Sequence, residues 1–377
     1  MINKPLYLDI HALQSVPPSC INRDDTGSPK TARFGGVLRA RVSSQAWKKA
    51  TRDEFATMLE EEEIGQRTVH AVDLIAEYIA RITPEVTTDD AQTMATAALK
   101  ATGISVGKQN ATGYLLFISP MQAEELARLA IAARQSDGKI VAKEAKSILN
   151  PRERPTLNAV DIALFGRMVA DAPNLNVDAT VQVAHALGVG AAQTEYDYFT
   201  AMDDRSPEDT AGAGMIGTVE YLSATFYRYA TVDIRHLCEN LGSSTATLRA
   251  IEAFCTAFVR SMPTGKQNTF ANRTLPAAVI MQLRDTQPVS LANAFERPVY
   301  AQGDKSQTRI ACERLVEQER FVDEAFGVKP QRTYAIIASP DAMAVEQMAD
   351  EVGSLASVTH AISEHVASYL AMVNGEA

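Results

Sequence analysis

Little in this chain could build a metal centre or a covalent cross-link. Its four cysteines, Cys20, Cys238, Cys255 and Cys312, are scattered with no CxxC pair and no regular spacing. That excludes the usual zinc sites and a disulfide framework, and leaves reduced packing thiols. Of the six histidines, His360 and His365 are five apart, a spacing that turns them away from one another on a helix and spoils joint ligation. His185 and His236 stand alone and read as packed or surface residues. No metal, no cofactor and no Ser/His/Asp or Cys/His arrangement is expected.

Long hydrophobic runs are also missing. No stretch approaches the ~20 apolar residues of a membrane helix, and Met1-Ile2-Asn3-Lys4-Pro5 lacks the apolar core of a signal peptide. A cytoplasmic protein without membrane contact is the expectation. Two glycine motifs fail on spacing. Gly103 and Gly107-Lys108 enclose three residues where a phosphate-binding P-loop has four, and Gln109 stands where Ser or Thr belongs. Gly188-Val189-Gly190 opens like a dinucleotide fingerprint, but Gln193 occupies the third glycine position.

What the chain does have is one concentration of positive charge. Residues 21–52 hold eight Lys or Arg against two Asp, a local charge of +6 in a protein of formal charge −10. Such contrast argues for a localised anion-binding face. Within it lie Lys30, Phe34-Gly35-Gly36, Arg39 and Arg41, and then Ser43-Ser44, which can cap a helix running to about Leu59. Trp47, Thr51, Phe55 and Met58 form the buried stripe of that helix; Gln45, Lys48 and Arg52 line another face. Its free N–H groups and positive dipole end suit a phosphate, and Arg39 and Arg41 favour binding over a merely solvated face. Asp24-Asp25 is the one carboxylate pair that might hold Mg²⁺ for phosphodiester cleavage. Consecutive residues rarely aim at one metal, so a turn aspartate with ion pairing to Arg23 is the plainer reading.

A length of 377 residues with 46% hydrophobic content and a mean hydropathy of −0.11 predicts a globular protein of two or three domains. Leu6 to Ala12 alternate as a first strand ended by Pro17-Pro18. Residues 60–150 read as a mainly helical insertion, with a helix from Met121 to Arg134 after the apolar run Tyr114–Ile118. Glycines at 188, 190, 212, 214 and 217 bracket an aromatic and acidic stretch that suggests an extended arm. A second strand covers Thr225–Ile234, and a helix capped at Ser243 or Ser244 follows. A late strand covers Tyr334–Ala338. Strands so widely separated imply an α+β protein whose one sheet carries large insertions.

Pro18-Ser19-Cys20-Ile21-Asn22-Arg23-Asp24-Asp25, Phe34-Gly35-Gly36, Arg39-Ala40-Arg41-Val42-Ser43-Ser44-Gln45 and Phe165-Gly166-Arg167-Met168 together resemble the CasC family. That family is the backbone subunit of the type I-E CRISPR Cascade, within the RAMP superfamily. Tyr198–Asp204, Phe226–Ala230, Pro263–Gln267 and Ser290–Glu296 follow in the same order. The resemblance implies an RNA-recognition-like (ferredoxin-like) palm at 1–57 and 223–377 with a web at 181–187, helical fingers at 58–180, and a thumb hairpin at 188–222. It implies a non-catalytic subunit that coats CRISPR RNA as head-to-tail copies of itself and presents it for pairing with a target DNA strand, among other Cascade subunits. By resemblance, Ser43, Gln45, Lys48 and Arg52 hold guide phosphates, with Lys30, Arg41 and Lys49 nearby. Met168 packs on a base or sugar, Phe199 and Met202 form the thumb wedge, and Lys266 and Gln267 sit on a palm loop. The alternatives are a metal-dependent ribonuclease using Asp24 or Asp25, and a metabolic enzyme binding a small phosphorylated ligand.

Overall fold

The computed structural model describes residues 4–136, 138–201 and 215–375. The α+β class is the one observed. Strands are β1 (Tyr7–Ser19), β2 (Thr31–Phe34), β3 (Val37–Val42), β4 (Gln66–Thr68), β5 (Leu116–Ile118), β6 (Val181–Val183), β7 (Ala186–Gly188), β8 (Glu195–Ala201), β9 (Met215–Asp233), β10 (Ala278–Arg284), β11 (Arg332–Ile337) and β12 (Glu351–Val352). Helices are α1 (Ser44–Phe55), α2 (Ala71–Ile82), α3 (Thr88–Ala101), α4 (Pro120–Gln135), α5 (Ala142–Leu149), α6 (Val160–Phe165), α7 (Ile234–Leu241), α8 (Ser244–Arg260), α9 (Gln267–Phe270), α10 (Gln307–Phe326) and α11 (Leu355–Asn374).

The main sheet runs β12-β11-β10-β1-β9-β7-β3-β2, with β6 and β8 also pairing with β9. β1 is central because both of its faces are buried. Leu8, Ile10 and Ala12 pack under Ile251, Phe254 and Phe258 of α8 and Val358, Ile362 and Val366 of α11. On the opposite face, Leu13 shares a core with Tyr227, Ile280 and Leu315 of α10. The prolines do not end β1. It continues through Pro17-Pro18 to Ser19, its register against β9 shifting between Val16 and Ser19, where an irregularity spares the prolines from donating ladder hydrogen bonds. β10 is a central strand without alternation in its sequence: it is buried on both faces, so apolar residues follow one another from Ala278 to Met281.

Between sheet and α10 lies a buried polar network. The Asp9 carboxylate accepts from the Tyr229 hydroxyl and the Val289 N–H, both at 2.9 Å, and pairs with Arg284 Nε at 3.2 Å. Arg284 also meets Glu319 at 3.4 Å and Asp323 at 3.3 Å. Three carboxylates thus surround one guanidinium.

The helical insertion has its own core. Ala91, Ala95 and Ala98 of α3 and Ala123, Ala127 and Ala130 of α4 are buried with Val72, Ile75 and Ile79 of α2, small residues letting the helices approach closely. Arg167 is buried in this module and donates to the carbonyls of Leu149, Leu175 and Phe117 and to Gln122 Oε1. Burial pushes its guanidinium down to about 10. β8 and β9 form the expected arm, paired from Glu195 with Tyr221 to Ala201 with Met215.

Burial pushes the Glu319 carboxyl up to about 7, so the fold favours its protonated form and loses that stabilisation as pH rises from 4.5 to 7. Replacing Glu319 with Gln removes this titration. The wild type should lose on the order of 3 kcal/mol relative to Glu319→Gln across that interval, measured by denaturant unfolding at each pH. A constant difference would contradict the assignment.

Candidate nucleic-acid interface

The start of α1 gathers polar groups from four segments. Ser43 is the N-cap: its hydroxyl accepts from the Ala46 N–H at 3.3 Å, and its own N–H donates to Asn22 Oδ1 at 2.9 Å. The hydroxyl expected on a phosphate is therefore engaged in capping, and Ser43 is buried. The Ser44 N–H donates to His185 Nδ1 at 3.4 Å, and Arg41 Nη1 lies 3.3 Å from the same atom while its Nε donates to the Thr31 carbonyl. Burial, then Arg41 and Lys30, hold the His185 imidazole below its ordinary value. A neutral ring with Nδ1 accepting carries its proton on Nε2, which leaves that N–H to donate. His185, read from the sequence as isolated, thus joins Lys30, Arg41, Ser44 and exposed Gln45. It carried no signal because the partners come from β3 and α1.

One turn further along α1, Lys48 is half-buried and has no hydrogen bond or ion pair among the described residues. Burial alone pulls its ammonium below the usual lysine value, the condition of a cation lacking its counter-ion.

Three other basic residues of this window are not free. Arg39, counted in favour of binding, is fully buried. It donates to the carbonyls of Phe34, Gly188, Val189, Phe295 and Glu296 at 2.6–3.2 Å. Arg52 pairs with buried Asp161 at 2.6 Å and donates to the Gly65 carbonyl at 2.6 Å. Its expected place on a guide phosphate gives way to a tie between α1 and α6. Lys49 pairs with Asp53 one turn along the exposed face at 2.5 Å. The helix stops at Phe55 rather than Leu59, with a turn at 56–58, and Met58 is only partly buried.

Asp24 takes the turn role, without the expected ion pair to Arg23 among the described residues. Its Oδ1 accepts from the Thr26 hydroxyl and N–H and from the Ser28 N–H at 2.7–3.0 Å, bonds that hold it below the usual carboxylate range, the Thr26 hydroxyl most of all. Asp25 is exposed. Among the described residues no group of three or more His, Cys, Asp or Glu could hold a metal ion.

Lys266, the N-cap of α9, and Gln267, its first residue, lie on a segment pressed against this same region. A Cβ at Gly265 would fall 2.4 Å from the Ile21 carbonyl oxygen, so only glycine permits the approach. Lys266 is half-buried with a φ of 52°, and Phe270 reaches Tyr221, at the root of the arm, with ring centroids 5.8 Å apart. On the arm, Phe199 is 37% exposed, and its ring covers Gly217, where a Cβ would fall 2.4 Å from it. Met202 lies outside the described residues. Met168 is elsewhere, on the helical module. It is 80% exposed on the wall of a cleft of about 520 Å³ with Arg67, Leu115, Phe117 and Asn176. Arg67 escaped the sequence reading because it stands outside any basic run, and Leu115 was read only as part of the apolar run Tyr114–Ile118.

With this geometry in place, the comparisons define the class. The chain is similar to a subunit of a "CRISPR RNA-guided surveillance complex, pre-nicking", with 32% identity and a TM-score of 0.80 over 96% of this chain and 100% of that one. A second similar chain, from a "CRISPR RNA-guided surveillance complex", has 28% identity and a TM-score of 0.70 over 95% and 99%. No curated protein matches it. Residues 8–365 match the family model of the CT1975-like proteins, and the chain belongs to that family.

Arg39 and Lys48 should separate cleanly in stability. Arg39→Ala orphans five carbonyls and should cost on the order of 3 kcal/mol or more. Lys48→Ala removes an uncompensated charge and should stay within about 0.5 kcal/mol of wild type. Urea midpoints check both; equal losses would contradict the division between structural and free cations.

Proposed function

We propose that this chain is the non-catalytic CRISPR RNA-binding backbone subunit of a type I-E Cascade surveillance complex. It polymerises head to tail along the guide in the cytoplasm and presents it for pairing with a target DNA strand in antiviral defence. The observation that carries this reading is Lys48. A cation half-buried without a partner is disfavoured until an anion arrives, and Lys30, Arg41 and the Ser44–His185 pair stand at the start of the same helix. Phosphates of a polyanion would supply that anion repeatedly. The likeness to surveillance-complex subunits over nearly the whole chain supports the same assignment.

In this reading the sheet with α8, α10 and α11 is the palm, related to RNA-recognition folds, α2 to α5 are the fingers, and the β8–β9 arm is the thumb that reaches a neighbouring copy. Phe199 lies on that thumb, and Met168 faces the guide from the fingers. The Asp24 carboxylate, engaged by its own turn, supports a binding rather than a cleaving role.

The protein should be purified with and without a CRISPR array transcript, reading the A260/A280 ratio and size-exclusion mass, with Mg²⁺ added to test cleavage. Large particles containing intact RNA are expected. Lys48→Ala should weaken RNA binding and flatten the logarithmic salt dependence by about 0.7 per lost single-strand phosphate contact. A small RNA-free species that ignores added guide would overturn the proposal, as would Mg²⁺-dependent shortening abolished by Asp24→Ala.

A further inference from the structure

The edge of the main sheet opposite β2 carries a pocket whose charge is the reverse of the α1 site. β12 is the outermost strand there, two exposed residues that pair in parallel with β11 alone among the described strands. Tyr334 stands beside Glu351 in that ladder, and Arg332 precedes Tyr334 by two, so all three side chains leave the same face of the sheet. α11 covers this face, and Tyr334 shares a core with its Val358, Ile362 and Val366. Where α11 passes the sheet edge, Glu364 and His365 close a pocket of about 360 Å³ with Arg332, Tyr334, Asp350 and Glu351. Ala361 and Ser368 complete its wall.

Three carboxylates meet one guanidinium here, and the balance is negative. One Asp350 oxygen accepts from the Thr333 N–H at 2.8 Å, and Glu364 lies 3.5 Å from the exposed His360. The Glu351 and Arg332 side chains have no hydrogen bond or ion pair among the described residues. Burial, then Arg332, hold the His365 imidazole below its ordinary value, so at neutral pH the ring adds no positive charge. Tyr334 points to a ligand independently. It is 6% exposed, yet its hydroxyl has no hydrogen-bond partner among the described residues. Burial pushes that phenol up; Arg332 opposes the shift, and Glu351, Asp350 and Glu364 add to it, so the oxygen faces the charges of the pocket. A buried hydroxyl left unpaired is costly.

We propose that this pocket receives an arginine side chain of a companion protein, presented on an extended segment that adds to the free edge of β12. A guanidinium brings five donors in one plane, which can serve the Glu351 and Glu364 carboxylates and the Tyr334 oxygen together. The backbone of the same segment finds unpaired strand groups at the sheet edge. Excess negative charge turns phosphates away, so the pocket does not extend the α1 site, and the proposal stands without the RNA-binding reading. Among the described residues no group of three His, Cys, Asp or Glu could hold a metal ion, which leaves an organic cation as the fitting occupant.

The test uses the full chain with ¹³C-labelled histidine, the His365 resonance being assigned by His365→Gln. The probes are a pentapeptide of threonine and valine around a central arginine, its citrulline counterpart, and agmatine. The arginine peptide should shift the His365 resonance and saturate in the millimolar range. Citrulline keeps the shape without the charge and should bind about tenfold more weakly; agmatine lacks the backbone and should also fall behind by about tenfold. Tyr334→Phe should weaken the arginine peptide about tenfold without lowering the thermal midpoint, since the hydroxyl it removes is unpaired in the free protein. Glu364→Gln, at an exposed position, should cost about threefold and decides the matter if Tyr334→Phe is unstable. No shift at millimolar arginine peptide, equal binding of the citrulline peptide, or unchanged affinity in both variants would overturn the proposal. So would agmatine binding as tightly as the peptide, which would make this a site for a small free cation, or a guide RNA oligonucleotide producing the same shift.

Discussion

A buried guanidinium without a carboxylate holds the β2–β3 edge of the main sheet together. Arg39 reaches from β3 to carbonyls of the β2 end, of Gly188-Val189 and of Phe295-Glu296, segments that the chain order leaves far apart. Five acceptors can satisfy the donors of one arginine, so its charge is dispersed over peptide dipoles instead of being paired. Gly35 and Gly36, with φ of 58° and 82°, make the tight turn that brings β2 back along β3. A Cβ at Gly35 would overlap the Glu296 carbonyl. The position of Arg41, Lys30 and the α1 cap relative to the rest of the sheet depends on this knot.

The same device recurs at two other buried arginines. Arg228, pushed down to about 9 by burial, lies over the Trp47 ring at 3.7 Å and bonds Gln14 and the Phe258 carbonyl, which seats the inner face of α1 against the sheet. Arg167 collects carbonyls within the helical module. None of these three has an acidic partner among the described residues, and each places its donors on buried carbonyl oxygens. Arg52 is the contrast. It has the buried carboxylate of Asp161, and that ion pair ties α1 of the sheet module to α6, so the direction of the basic helix toward the Met168 cleft is set by a charge that cannot also serve a ligand.

The electrostatic picture that emerges is sparser than the charge count of residues 21–52. Of the eight, removing Arg39 to the interior, Arg52 to Asp161 and Lys49 to Asp53 leaves Arg23, Lys30, Arg33, Arg41 and Lys48, with His185 beside Arg41 at the α1 start.

Much of this was legible in the chain itself. Alternation in β1, the Ser43 cap, the Trp47, Thr51 and Phe55 stripe and the glycine-bracketed arm all follow from local periodicity and local backbone chemistry. The order of short motifs carried the family resemblance. The strand β10 was not legible, because burial on both faces erases alternation. Nor were the roles of Arg39, Arg52 and His185, since an arginine in a sequence shows its charge but not what stands opposite it. The sequence alone determined that this is an α+β protein with a basic segment at a helix start. Only the tertiary structure decided which of those cations remain free, because pairing, burial and desolvation are properties of residues that meet in space from distant parts of the chain.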